Sequence, residues 1–256
     1  LEYSTESFSA FFQGSISQQG FQREDTFLYL TTDPLYKTDF KNIMGGNVKG
    51  GFNYNFNSKH KSIDEIAITF RQVDLMVNAI NEKAGKNVDA DEMYLMIISM
   101  INDYDFNFND VDLKLLDEDM EQIVFNHMPD LYCGDCLDVL AKIKESGKSS
   151  INILSNTGFI KGKTLKNVIE HLGIGQFIDF QLYSDEVRMS KPNAGFFQLM
   201  LDRIDRTKHP ELLLKDVILV GDNPHADIRG AEAIGINSML INSNKLSILN
   251  LLYDTV

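Results

Sequence analysis

The stretch VILVGDNPHADIRGAEAIGI, residues 217–236, decides how this chain is read. Its first four residues are apolar and mostly β-branched, the texture of a strand buried on both faces of a sheet. Gly221 then permits a tight turn, and residues 225–234 carry a helical pattern that stops at Gly235. INSMLIN, residues 236–242, follows as a further strand. Two carboxylates, Asp222 and Asp227, stand just beyond the first strand. Carboxylates so placed make an oxygen-ligand site for a hard cation such as Mg²⁺. Asp227 also suits a helix N-terminus, where the dipole favours an acid. That explanation is harder for Asp222, which sits where the strand leaves the sheet.

The same rhythm runs upstream. Residues 134–147 are helix-like and stop at Gly147, INILS at 151–155 is strand-like, and 162–172 is helix-like before Gly173. FIDFQLYS at 177–184 predicts a second strand, and residues 193–206 predict a helix after Pro192. Strands alternating with helices argue an α/β fold, a Rossmann-like parallel sheet with helices on both faces. In open sheets of this kind the functional crevice lies beyond the C-terminal strand ends. Two more candidate groups stand there. Ser155-Asn156 offers short neutral donors after the first of these strands, and Lys191, in Ser190-Lys191-Pro192, offers a fixed positive charge.

Residues 13–128 have a different texture. Ser62-Ile-Asp-Glu65 and Asp89-Ala-Asp-Glu92 are capping boxes, and Ile66, Phe70, Val73, Val77 and Ile80 recur at helical spacing after the first. Residues 45–61, GGNVKGGFNYNFNSKHK, are rich in Gly and Asn and read as a solvated connector; the other reading is a mobile loop over a site. In that second case Lys49, Lys59, His60 and Lys61 could meet an anionic substrate. The chain therefore divides into an α/β core, residues 1–12 plus 129–256, and a mostly helical insert, residues 13–128.

Composition narrows the partners. A net charge of −13 disfavours a non-specific grip on nucleic acid or anionic membrane. No apolar run approaches the ~18 residues of a membrane span, and no secretory-signal pattern opens the chain, so a cytoplasmic protein is expected. Cys133 and Cys136 form a lone C-x-x-C. It is half of a zinc site at most, and it lacks the preceding strand of a redox motif.

In their order and spacing, ILSNTG, SDEVRMSKPNAGFF and VILVGDNPHADIRGAEAIGI resemble the haloacid dehalogenase-like (HAD) superfamily, in the capped, phosphatase-type arrangement. The resemblance implies that Ser155 and Lys191 bind the transferring phosphoryl group, with Asn156 beside them, and that Asp222 and Asp227 hold Mg²⁺. It also implies a helical cap after the first strand, matching residues 13–128, and a small phosphorylated molecule or phosphate as ligand.

The family's first motif supplies an aspartate that attacks phosphorus and ligates the metal, and here the chain departs from the pattern. In one register of LEYSTESFSAFF, Glu6 takes the nucleophile and metal-ligand position, with Phe8, Ser9 and Ala10 completing the catalytic loop. In the other, Ser4 replaces the nucleophile and Glu6 the acid/base. The first preserves more of the surrounding apolar pattern. Asp25 and Asp33 are the next acidic alternatives with strand-like neighbours, without a D-x-D-x-T-like loop. Glutamate is one methylene too long, and misplacement by about 1 Å can cost ~10²-fold in rate. A missing acid/base costs a further ~10²–10⁴. The expectation is a family member with a binding half-site and impaired or absent catalysis. A Mg²⁺-dependent phosphatase is the alternative, and a haloacid dehalogenase a more distant one.

Overall fold

A computed structural model describes residues 61–252, apart from Phe106, Tyr132, Ser146 and Ser243. Ser4, Glu6, Ser9, Asp25, Asp33, Lys49, Lys59 and His60 lie outside the described residues, as do the strand read in residues 1–12 and all but the last residue of the loop at 45–61.

Three helices come first: α1 (Ile63–Ala84), α2 (Ala90–Ile101) and α3 (Leu113–Asn126). Ser62 starts α1 because its hydroxyl accepts from the Glu65 N–H at 3.2 Å while its own N–H donates to the Glu65 carboxylate at 2.7 Å. Asp89 N–H donates to Glu92 in the same way at the head of α2. Gly85 ends α1 in the left-handed region at φ 64°, which an L side chain rarely adopts. Phe70, Val73 and Val77 are buried as the periodicity predicts, but Ile80 is 44% exposed. Asn81 turns inward in its place and accepts from Val88 N–H at 3.0 Å, satisfying backbone where the chain folds back.

The alternating part follows: α4 (Cys136–Glu145), β1 (Asn152–Ser155), α5 (Gly162–His171), β2 (Phe180–Tyr183), a short α6 (Ser184–Val187), α7 (Ala194–Arg203), β3 (Ile218–Gly221), α8 (Gly230–Ala233) and β4 (Asn237–Leu240). Among the described residues the strands pair as two parallel ladders. Asn152–Ser155 lies beside Phe180–Tyr183, and Ile218–Gly221 beside Asn237–Leu240. Parallel pairing needs a crossover, which α5 supplies between β1 and β2. β1 and β2 are shorter than the stretches 151–155 and 177–184 read for them, and β3 ends one residue past its apolar run, at Gly221. Ile218 is 49% exposed, so β3 is less enclosed among the described residues than a strand covered on both faces.

Two apolar clusters hold these elements. One packs Leu154, Leu182, Phe196, Phe197 and Ala231 between strands and helices. The other joins Phe70, Val73, Ile97 and Leu116 of the first three helices to Phe159, Leu165 and Val168 after β1. Tyr94 fixes that contact: its hydroxyl donates to the Phe159 carbonyl at 2.5 Å, and burial pushes its pKa well up, keeping the proton in place. Lys161 adds ion pairs to Asp91 at 2.8 Å and Asp117 at 3.5 Å. No helix among the described residues is long and apolar enough to cross a membrane.

Candidate functional site

The loops after the C-terminal ends of β1, β2 and β3 converge, linked by hydrogen bonds among Asn156, Lys191 and Asp227. Ser155 is the last residue of β1, Lys191 lies in the loop before α7, and Asp222 and Asp227 flank the turn after β3. Their exposures are 7, 8, 5 and 3%, so four polar groups share a largely desolvated place. Burial at this level requires partners.

Lys191 is held at both ends. Its Nζ donates to Asp227 Oδ1 at 2.5 Å. Its backbone N–H donates to Asn156 Oδ1 at 2.7 Å, and its carbonyl accepts from Asn156 Nδ2 at 3.0 Å. Asn156 therefore ties the end of β1 to the lysine main chain, a use of the amide that the dipeptide Ser-Asn alone did not reveal. Ser155 Oγ donates to the Asn156 carbonyl at 3.1 Å.

The turn after β3 explains how Asp227 reaches Lys191. Asn223 Oδ1 accepts from His225 and Ala226 N–H at 2.9 Å each, capping the turn, with Pro224 at its first position. Residues Pro224–Arg229 then form a π-helical turn where a plain α-helix was expected, and Ile228 N–H reaches back to Asn223 O at 3.3 Å. The wider turn carries the Asp227 carboxylate over Gly221. Its Oδ2 accepts from Asn223 N–H at 3.0 Å. A Cβ on Gly221 would lie 2.3 Å from that same oxygen, so only glycine leaves room for the carboxylate.

These residues fit a hard divalent cation by their donor chemistry. Among the described residues no group of three or more His, Cys, Asp or Glu gathers as a metal cage. Mg²⁺ does not require one, because it keeps several waters and binds through one or two carboxylates. Asp222 and Asp227 supply two oxygen donors of that type. Each Asp227 oxygen already accepts one protein hydrogen bond and retains a second lone pair.

A second layer backs the site. Thr157, Ser184 and Ser190 are 2, 0 and 0% exposed and join in hydrogen bonds to Asn87, in the turn between α1 and α2. Neither spacing nor composition marked these residues. Asp185 accepts from Gly162 N–H at 2.9 Å, and burial pushes its carboxyl up. Away from the site, both cysteines are free, and burial raises the Cys136 thiol, the opposite of what a reactive thiolate needs. Lys61 pairs with Asp103 at 3.2 Å.

Over 113 residues the chain is 29% identical to a ribulose-1,5-bisphosphate 5-phosphatase of Halopiger xanaduensis, covering 44% of this chain and 43% of that protein. A protein of Schizosaccharomyces pombe named only as an uncharacterized hydrolase is 28% identical over 102 residues, 40% of this chain and 43% of its own length. The matched stretch thus spans less than half the length of these curated relatives. Among solved structures, the magnesium-bound HAD hydrolase YfnB from Bacillus subtilis superposes with a TM-score of 0.57 at 16% identity, covering 84% of this chain and 91% of its own. A 2-haloacid dehalogenase from Pseudomonas syringae gives 0.52 at 11% identity over 90% and 85%. At such identities the likeness is one of fold. The match to the haloacid dehalogenase-like hydrolase family runs from residue 24 to residue 241, taking in the four strands among the described residues and the loops that carry Ser155, Lys191, Asp222 and Asp227, while Ser4, Glu6 and Ser9 fall before it. The chain belongs to the haloacid dehalogenase-like hydrolase family.

Proposed function

We propose that this chain binds the phosphoryl group of a small phosphorylated molecule together with Mg²⁺ at the strand ends, and that its turnover of phosphate esters is impaired. The observation that carries the reading is the buried pair of Lys191 and Asp227 at 2.5 Å, anchored to Ser155-Asn156 through the lysine main chain. In this reading Ser155 Oγ and Lys191 Nζ contact phosphate oxygens, and Asn156 and Asp227 position the lysine. Asp222 holds the metal, with Asp227 contributing through its remaining lone pairs.

Charge supports a metal in this role. Lys191 carries one positive charge against two carboxylates, so the cluster would repel a phosphate dianion without a cation. Bound Mg²⁺ would offset that charge and stabilise the negative charge of the phosphoryl oxygens. Residues 13–128 serve as the cap in this reading, the protein works in the cytoplasm, and nucleic acid is not a partner.

The impairment rests on the first motif, where Glu6 or Ser4 stands at the nucleophile position. A working phosphatase is the second reading. Two observations favour it: the family match begins at residue 24, after Glu6 but before Asp25 and Asp33, and one relative is a sugar-bisphosphate phosphatase. Hydrolysis of an aryl phosphate by the full chain with Mg²⁺ separates the two. Impairment predicts release no faster than a protein-free blank. Turnover abolished by Asp222→Asn would establish the phosphatase reading. Its loss on Asp25→Asn or Asp33→Asn, but not on Glu6→Gln, would move the nucleophile out of the opening stretch.

A further inference from the structure

The α1–α2 turn, Gly85–Asp89, grips the loop that carries Lys191 along its length. Asn87 N–H donates to Arg188 O at 3.4 Å, and Lys86 forms an antiparallel bridge with Met189. Ser190 N–H donates to Gly85 O at 3.3 Å, and Asn193 Nδ2 donates to the same carbonyl at 2.7 Å. A Cβ on Gly85 would meet Asn193 Nδ2 at 2.9 Å, so the glycine permits both the left-handed turn and the close approach. The main chain before Lys191 and the Asn193 side chain after it are thus paired with a segment about a hundred residues earlier in sequence.

Asn87 is the centre of this contact. Its Oδ1 accepts from Ser184 Oγ at 2.7 Å and from Ser190 Oγ at 3.3 Å. Its Nδ2 donates to the Val88 carbonyl and to Asp89 Oδ1, both at 3.2 Å. An amide has two acceptor lone pairs and two donor hydrogens, so all four are in use. Ser184 has one hydroxyl hydrogen. It goes to Asn87, and Ser184 Oγ accepts from Thr157 N–H at 2.7 Å, with the Thr157 hydroxyl 3.0 Å away. The order is therefore fixed: Thr157 N–H to Ser184 to Asn87, with Ser190 entering from the other side. The network joins the loop after β1, the loop after β2 and the α1–α2 turn. Asp could not replace Asn87, because it would lose both donors and face Asp89.

We propose that Asn87 is a positioning residue for Lys191, and that the α1–α2 turn braces the lysine loop. The functional consequence rests on the reading of Lys191 as a phosphoryl ligand; the structural one stands on the hydrogen bonds alone. A buried network loses more than one bond when its centre is removed, because the partners are left unsatisfied.

Hydrogen exchange by mass spectrometry on the full chain, paired with titration of inorganic phosphate in Mg²⁺, tests this. Asn87→Ala should speed exchange selectively in residues 188–193 and leave 216–241 unchanged. It should also weaken phosphate binding about tenfold. Ser190→Ala should give a smaller change in the same segment, and it answers the question if Asn87→Ala fails to fold. Met120→Ala loosens α3 from its core position, away from the network, and should leave 188–193 protected. Unchanged exchange in 188–193 for both network variants would overturn the proposal. So would equal loosening by Met120→Ala, which would make the effect one of general stability. If the unaltered protein binds no phosphate, the reading of Lys191 fails, while the exchange pattern still decides whether the brace exists.

Discussion

Gly221→Ala adds one methyl group at the point where the site is most crowded. The new Cβ would lie 2.3 Å from Asp227 Oδ2, 2.4 Å from its Cγ and 2.6 Å from its Cβ, whereas ordinary contact begins near 3.4 Å. The carboxylate would have to retreat by about 1 Å. It is 3% exposed and held on both oxygens, by Lys191 at 2.5 Å and Asn223 N–H at 3.0 Å, so it has nowhere to go without breaking one of them. Overpacking alone costs about 1–3 kcal/mol, and breaking a buried ion pair about 3–5 kcal/mol. The expected loss is about 3 kcal/mol or more, read as a lowered urea midpoint with unchanged slope. Asp227→Gly removes every atom in the clash. In that background Gly221→Ala should cost only a few tenths of a kcal/mol, giving a large coupling in a double-mutant cycle. A neutral Gly221→Ala, or a cost that simply adds to that of Asp227→Gly, would refute the close packing of the carboxylate on the strand end.

Two further predictions concern how the helices and the start of the β1–β2 ladder are held. Tyr94→Phe keeps the ring against Phe159 but leaves the Phe159 carbonyl without its donor, and should lower stability by about 1–2 kcal/mol in urea unfolding; no change would mean the carbonyl finds another partner. Burial works to raise the Asp179 carboxyl, but hydrogen bonds from Lys144 at 2.7 Å and Ile151 N–H at 2.8 Å outweigh it and hold the group below its usual value. Its contribution is therefore present above the unfolded-state value and lost as pH falls through the folded one. Asp179→Asn should be less stable than the unaltered protein near neutrality, with the gap closing below about pH 4. A gap that is constant with pH would contradict the pairing.

The α/β rhythm was legible because each helix and strand has its own local signal: glycine stops after α4, α5 and α8, and apolar runs for β1 and β3. Of the candidate residues, Ser155 ends β1 and Asp222 directly follows β3, whereas Lys191 and Asp227 stand further along, in the loop before α7 and in the π-helical turn. What could not be read was how they join. The return of Asp227 over Gly221 depends on a π-helical turn, which needs the same Asn-Pro start as an ordinary helix and differs only in its later hydrogen bonds. The inward turn of Asn81 and the exposure of Ile80 depend on where the chain folds back, which periodicity does not contain. Asn87 reaches Ser184 across 97 residues and Ser190 across 103, distances at which spacing carries no signal.

The central claim, that the strand ends form a phosphate and Mg²⁺ half-site built on Ser155 and Lys191, is tested most directly by calorimetric titration of inorganic phosphate into the Mg²⁺-loaded protein. Lys191→Met alone would strand a buried carboxylate, so it is paired with Asp227→Asn, and Ser155→Ala serves as the milder change. The account predicts saturable binding that depends on Mg²⁺, weakened by Ser155→Ala and lost in the double variant while both remain folded. Equal phosphate affinity in all three proteins, or binding indifferent to Mg²⁺, would contradict it.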